Sequence, residues 1–120
     1  MPGVSKITHK GKEILFVDFK NTADDDEMIT ILRAAQEIVI RENKPYVQLT
    51  DIRSAHATSK FTKVLKQVGA ETPKLATKRA IVGITPIRMI ILKSYNLIIG
   101  GKGIKPFNTL EEAKDFLVQD

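Results

Sequence analysis

The sequence predicts an α/β fold: a mixed five-stranded sheet, mostly parallel with its first strand antiparallel, covered by four helices. Three observations predict it. Short β-branched and aromatic runs alternate with longer segments whose apolar residues recur at helical spacing. That alternation implies parallel strands joined by right-handed crossovers. The first two strand-like runs are separated only by a glycine-containing turn, which makes them an antiparallel hairpin. The order read is β-β-α-β-α-β-α-β-α, in a 120-residue chain that fits one domain.

Val4 to His9 is the first strand and Glu13 to Phe19 the second. Lys10-Gly11-Lys12 turns the chain between them, because Gly11 adopts a positive φ without steric cost. Thr22 is expected to cap the first helix, with Asp24, Asp25, Asp26 and Glu27 in its first turn complementing the helix dipole. Ile29, Leu32, Ala35, Ile38 and Val39 form its apolar stripe, and Asn43-Lys44-Pro45 stops it near Glu42. The third strand, Tyr46 to Asp51, alternates Val47 and Leu49 against Tyr46, Gln48 and Thr50. Thr58 or Ser59 caps the second helix, whose stripe is Phe61, Val64, Leu65 and Val68; Gly69 ends it or weakens its last turn. Lys78 to Ile84 is the fourth strand. Pro86 opens a third helix, running to about Ile99 and ending in Gly100-Gly101. Ile104 to Phe107 is the last strand, and Thr109 with Glu112 makes a capping box for a final helix from Leu110 to Val118.

Composition narrows the chemistry. With no cysteine, disulfides, thiolate metal sites and cysteine nucleophiles are excluded. The N-terminal residues hold no apolar signal core, and the greasiest stretch, Ile87 to Ile99, is interrupted by Arg88, Lys93, Ser94 and Asn96 and falls short of the ~20 residues that span a bilayer. The expected location is therefore the cytoplasm. The formal charge of +5 is unevenly placed: from Lys60 to Lys105 Glu71 is the single acid. Such a run is a solvated basic surface or a patch that attracts an anionic partner. Nucleic acid is disfavoured, since aromatics are only 6% and no helix-turn-helix, RNP or KH pattern appears.

The remaining motifs mostly have structural readings. Gly100-Gly101-Lys102-Gly103 has helix before it and strand after it, the reverse of a phosphate loop. Asp24, Asp25 and Asp26 point about 100° apart on a helix and do not converge on a metal unaided. His9 and His56 lack ligand spacing, and no glycines frame a nucleophile near His56. No cofactor, metal or catalytic residue is assigned. The place to look is the end of the third strand. Thr58 and Ser59 lie there at a helix start, where first-turn N–H groups cradle an anion with help from Arg53 and Lys60. Asp51 would orient one of the two hydroxyls. The candidate anion set is Asp51, Arg53, Thr58, Ser59 and Arg88.

On the helix from Pro86, Ile87, Ile90, Ile91, Leu97 and Ile98 fall in one arc, the natural core face. Met89, Leu92, Tyr95 and Ile99 form a second apolar stripe. It meets a neighbouring helix of the same chain, a second copy, or lipid through a patch flanked by Arg88 and Lys93; the homodimer is favoured over lipid because a two-fold interface buries the same patch on both copies.

The stretch KRAIVGITPIRMIILKSYNLIIGGKGIKPFNTLEEAKDFL resembles the C-terminal half of the SpoIIAA-like, or STAS/SEC14-like, bacterial domains. The ending Phe107-Asn108-Thr109-Leu110-Glu111-Glu112-Ala113 carries the likeness most visibly. The resemblance implies a mixed sheet backed by helices and a non-enzymatic regulatory or ligand-binding role. It implies a protein partner or a small anionic or lipid-like ligand; the SEC14 branch implies lipid or membrane-surface binding instead. Anti-sigma-factor antagonists of this type carry Asp-Ser-Ser-Gly at the start of the second helix, with a phosphorylated serine. Here that stretch is Ala57-Thr58-Ser59-Lys60-Phe61, and the motif is absent.

Overall fold

The sheet is organised by its hairpin. In the computed structural model, which describes residues 3–22, 24–56, 58–85 and 103–119, strands β1 (Gly3–His9) and β2 (Lys12–Asp18) pair antiparallel from His9↔Lys12 to Gly3↔Asp18. Lys10 and Gly11 both have positive φ, 51° and 80°, the two-residue turn whose twist matches that of the strands. Strands β3 (Tyr46–Asp51), β4 (Ala76–Val82) and β5 (Ile104–Phe107) add in parallel. The spatial order is β1-β2-β3-β4-β5, with the antiparallel β1 at an edge as expected.

Alternation along β2 divides the core between the two faces. Leu15 and Val17 point to the side covered by α1 (Asp25–Glu42) and α2 (Ser59–Glu71), where they meet Met28, Ile31, Ala35, Val39 and Phe61. Phe19 meets Phe61 edge to face, ring centroids 5.7 Å apart, a geometry that aromatic quadrupoles favour. Ile14 and Phe16 point to the side covered by α3 (Leu110–Val118) and join Leu49, Ala80, Val82, Ala113 and Leu117. Ile14, Leu49 and Val82 are fully enclosed, each burial contributing roughly 1.5–3 kcal/mol.

Helix α3 shows how local sequence is converted into a fixed end. Thr109 Oγ1 accepts from the Glu112 N–H at 3.2 Å, the first bond of a capping box, and donates to Glu112 Oε1 at 3.0 Å, so the carboxylate closes on the hydroxyl of the cap. Thr109→Ala is expected to cost about 1 kcal/mol, read from the urea midpoint. The helix has no basic residue in its last turn. The strands supply the cations instead: Lys12 donates to the Val118 carbonyl, and Lys78 to those of Phe116 and Gln119. Lys78 also sits 5.1 Å from the centre of the Phe116 ring.

Several boundaries differ from expectation. The cap of α1 is Asp24, which accepts from the Asp26 N–H. Thr22 is buried, and its hydroxyl is spent on the Phe19 carbonyl at 2.6 Å. The buried stripe of α1 is Met28, Ile31, Ala35 and Val39, with Ile29, Leu32 and Ile38 on its flanks. It is rotated from the expected stripe because α1 packs on α2 as well as on the sheet. Gly69 does not end α2, which runs to Glu71, where the N–H and hydroxyl of Thr72 both close on the Val68 carbonyl. Strand β4 starts and stops two residues earlier than expected, because Gly83 leaves the strand with φ +103°. Three helices fall among the described residues. The fourth expected helix, 86–99, lies outside them, and with it Arg88, Met89, Leu92, Tyr95 and Ile99.

Candidate binding site

Parallel strands β2, β3 and β4 end together at Asp18, Asp51 and Val82, the edge where open α/β sheets place their ligands. The loops leaving these strands are stitched to one another through the main chain. Phe19 N–H donates to the Asp51 carbonyl, Asn21 N–H to Arg53, His56 N–H to Thr22 and Ile52 N–H to Val82, all at 2.9–3.0 Å. Asn21 and Ser54 take left-handed φ values of 64° and 57° to make these turns.

At the centre lies an acid–guanidinium pair. Asp51 is 1% exposed. Arg53 grips its carboxylate sideways: Nε reaches Oδ1 at 3.0 Å and Oδ2 at 3.2 Å, Nη2 reaches Oδ2 at 2.8 Å, and the Arg53 N–H adds a bond to Oδ1 at 3.0 Å. Bidentate charge-assisted bonds of this kind are the strong ones. They raise the Arg53 pKa further above its already high ordinary value, with the Asp51 hydrogen bond as the main cause. Only one end of the pair is dry, since the Arg53 side chain is 41% exposed. Gly83 presses on the same residue: a Cβ there would stand 2.6 Å from the Arg53 nitrogen and 2.9 Å from its Cα.

The start of α2 is held differently from the sequence expectation. Asp51 does not orient Thr58 or Ser59; Arg53 occupies it fully. The residue that holds Thr58 is Asp25, in the first turn of α1. Its carboxylate accepts from the Thr58 N–H at 3.1 Å and from the Thr58 hydroxyl. Thr58 Oγ1 in turn caps α2 by accepting from the Lys60 N–H. Asp26 receives the Lys60 ammonium at 2.6 Å. The three consecutive aspartates thus serve three separate partners: Asp24 caps its own helix, Asp25 holds Thr58 and Asp26 holds Lys60. Ser59 is exposed at the first helical position. Asp51, Arg53, Thr58 and Ser59 therefore come to one end of the sheet, in two clusters: Asp51 with Arg53, and Thr58 with Asp25.

Asp25 carries a pH signature. Hydrogen bonds from Thr58 hold its pKa below the ordinary 3.8. A carboxylate with a depressed folded-state value stabilises above its unfolded value, and the contribution fades as pH falls through the folded one. The stability difference between wild type and Asp25→Asn should thus be complete above pH 3.8 and shrink below it. Urea midpoints measured across the acid range check this.

Some relations had no sequence signal. His9 bonds Asp115 of α3 at 2.8 Å, across 106 positions of chain, and Lys10 reaches the same carboxylate at 3.0 Å. Among the described residues no three His, Asp or Glu side chains gather to hold a metal ion.

The exposed side of α2 completes the picture. Ser59, Lys60, Thr62, Lys63, Lys66, Gln67 and Ala70 face solvent, and the first turn holds no acid. Glu71, at the far end, reaches Arg33 at 3.5 Å. Lys63 and Lys66 meet no carboxylate among the described residues.

A sheet of this order, with a hairpin at one edge and helices on both faces, makes an α/β domain, and its fold is SpoIIAA-like. The chain is similar to a crystal structure of an uncharacterised DUF3478-family protein with a SpoIIAA-like fold from Shewanella loihica PV-4, with a TM-score of 0.72 over 96% of this chain and 92% of that one. Sequence identity is 18%, so the likeness is one of fold. No protein-family model matches the chain, and no curated protein matches it.

Proposed function

We propose that the chain is a non-enzymatic regulatory or ligand-binding module that docks an acidic protein surface on α2, beside the strand ends. The observation that carries this reading is the one-signed outer face of α2, where Lys63 and Lys66 stand exposed and meet no carboxylate among the described residues. Fields of one sign steer an oppositely charged partner and set its register. The Asp51–Arg53 pair fixes the loop from which α2 departs, which gives the lysines a rigid base.

A lipid surface is the alternative, by analogy with the SEC14 branch. Each lysine near an anionic membrane contributes about 1 kcal/mol, but durable surface binding also needs an apolar face to insert. The solvent side of α2 offers none, and Ile40, the large apolar residue most exposed among the described residues, lies on α1. Among the described residues no helix is long and apolar enough to cross a membrane.

The test uses immobilised protein with soluble poly-glutamate, alongside co-sedimentation with phosphatidylserine vesicles. Binding to poly-glutamate should weaken about tenfold in Lys63→Glu/Lys66→Glu. It should survive in the charge-matched Lys10→Glu/Lys44→Glu. Vesicle binding without poly-glutamate binding would favour the lipid reading. Equal losses in both variants would mean that net charge alone, and no docking face, is at work.

A further inference from the structure

The outer edge of β1 is an open template. It is first in the strand order, so its far side pairs with no described strand. The two-residue turn fixes which main-chain groups face outward. His9 and Lys12 close the turn as a hydrogen-bonded pair, so the main-chain groups of Ile7, Ser5 and Gly3 also point at β2. Those of Val4, Lys6 and Thr8 point away. The strand runs for seven residues with unbroken register and contains no proline.

Edge strands are commonly guarded by a lysine, and Lys6 stands in the guarding position. Its ammonium, however, bonds Glu42 of α1 and lies 3.6 Å from Glu13 of β2. It is drawn inward over the sheet face and leaves the outer edge unguarded. On the opposite face Ile7 is only partly buried against the core beneath α3, at the rim where a further strand would cover it.

We propose that β1 pairs with β1 of a second copy, antiparallel about a two-fold axis at Ile7, joining two sheets into one. Charge and shape select this register. Centred on Lys6, it would oppose two lysines, and centred on Thr8, it would oppose Lys6 to Lys10; like charges directly opposite are destabilising. Centred on Val4, it would face Lys6 with Pro2, which has no N–H to give. Centred on Ser5, it would face each Ile7 with a glycine. The Ile7 register sets the two isoleucines against each other as a close pair, while Lys6 and Thr8 exchange main-chain hydrogen bonds on both sides of the axis. Each copy carries a formal charge of +5, so the dimer should tighten as salt screens the repulsion.

Sedimentation equilibrium and amide exchange test this together. The expected mass is twice the 13.4 kDa of the chain. With rising concentration the amides of Lys6 and Thr8 should slow about tenfold, whereas those of Ser5 and Ile7, already bonded to β2, should not change. Thr8→Pro removes an outward N–H and leaves the β1–β2 ladder intact, so it should be a folded monomer by circular dichroism and sedimentation. Ile7→Lys, which puts like charges on the axis, should be monomeric too. The proposal is overturned if wild type stays monomeric at its solubility limit. It is equally overturned by a dimer in which Lys6 and Thr8 still exchange at the dilute rate, since that dimer uses another surface.

Discussion

Gly83→Ala should be among the most damaging single-atom-scale changes the chain can suffer. The new methyl group would lie 2.6 Å from the Arg53 nitrogen and 2.9 Å from its Cα. These are backbone atoms, so no side-chain rotation relieves the clash. The φ of +103° adds strain that alanine rarely accepts. To make room, the loop after β3 must lift. That breaks the bond from Ile52 N–H to the Val82 carbonyl and the bond from Asn21 N–H to the Arg53 carbonyl. Overpacking and backbone strain together give an expected loss of about 3 kcal/mol or more. The measurement is a urea unfolding curve. A variant as stable as wild type would mean that the loops after β3 and β4 are not packed as described.

Arg53→Ala ranks beside it for a different reason. Asp51, 1% exposed while Arg53 covers it, loses its cation. Removing one partner of a buried pair typically costs about 3–5 kcal/mol. Because the Arg53 side chain is 41% exposed, water enters where it stood, and about 2–3 kcal/mol is expected. Asp51→Ala in that background should add little further loss, since the orphaned charge goes with it, and the double-mutant cycle should show strong coupling. Arg53→Lys should rescue poorly, because an ammonium cannot reproduce the two-pronged grip. Additive losses would show that the pair is a surface contact without structural weight.

Much of the architecture was legible from local sequence. Strand β5, helix α3 and its Thr109 cap match expectation to the residue, because propensity, cap and periodicity agree there. Strand β3 was equally readable from its alternation. What could not be read were relations set by the third dimension. Thr22 and Asp24 are both competent caps, and only the burial of Thr22 under the β2–α1 turn decides between them. Gly83 appeared as an ordinary strand residue, because nothing in the sequence announces that Arg53 passes directly over it.

At the candidate site, sequence position located the neighbourhood but not the pairing. Asp51 and Arg53 were both expected, with Asp51 assigned to the wrong neighbour. A bidentate grip between residues two apart needs the bend after β3 to turn the Arg53 side chain back on the strand. Asp25 was read only as a dipole partner of its own helix. Its contact with Thr58 spans 33 positions and exists because parallel crossovers set the starts of α1 and α2 side by side. The lysine run was visible as charge. That two of its members, Lys63 and Lys66, stand on the outer face of α2 clear of carboxylates among the described residues required the fold.

The most direct test of the docking surface is the footprint of an acidic partner on the folded protein. Amide chemical shifts of the labelled chain should be followed while poly-glutamate is added at moderate salt. Shifts should concentrate along Ser59, Lys63, Lys66 and Ala70 and in the adjoining loop around Arg53, with the hairpin and α3 unmoved. Shifts spread evenly over every lysine, or gathered on the hairpin instead of α2, would contradict it.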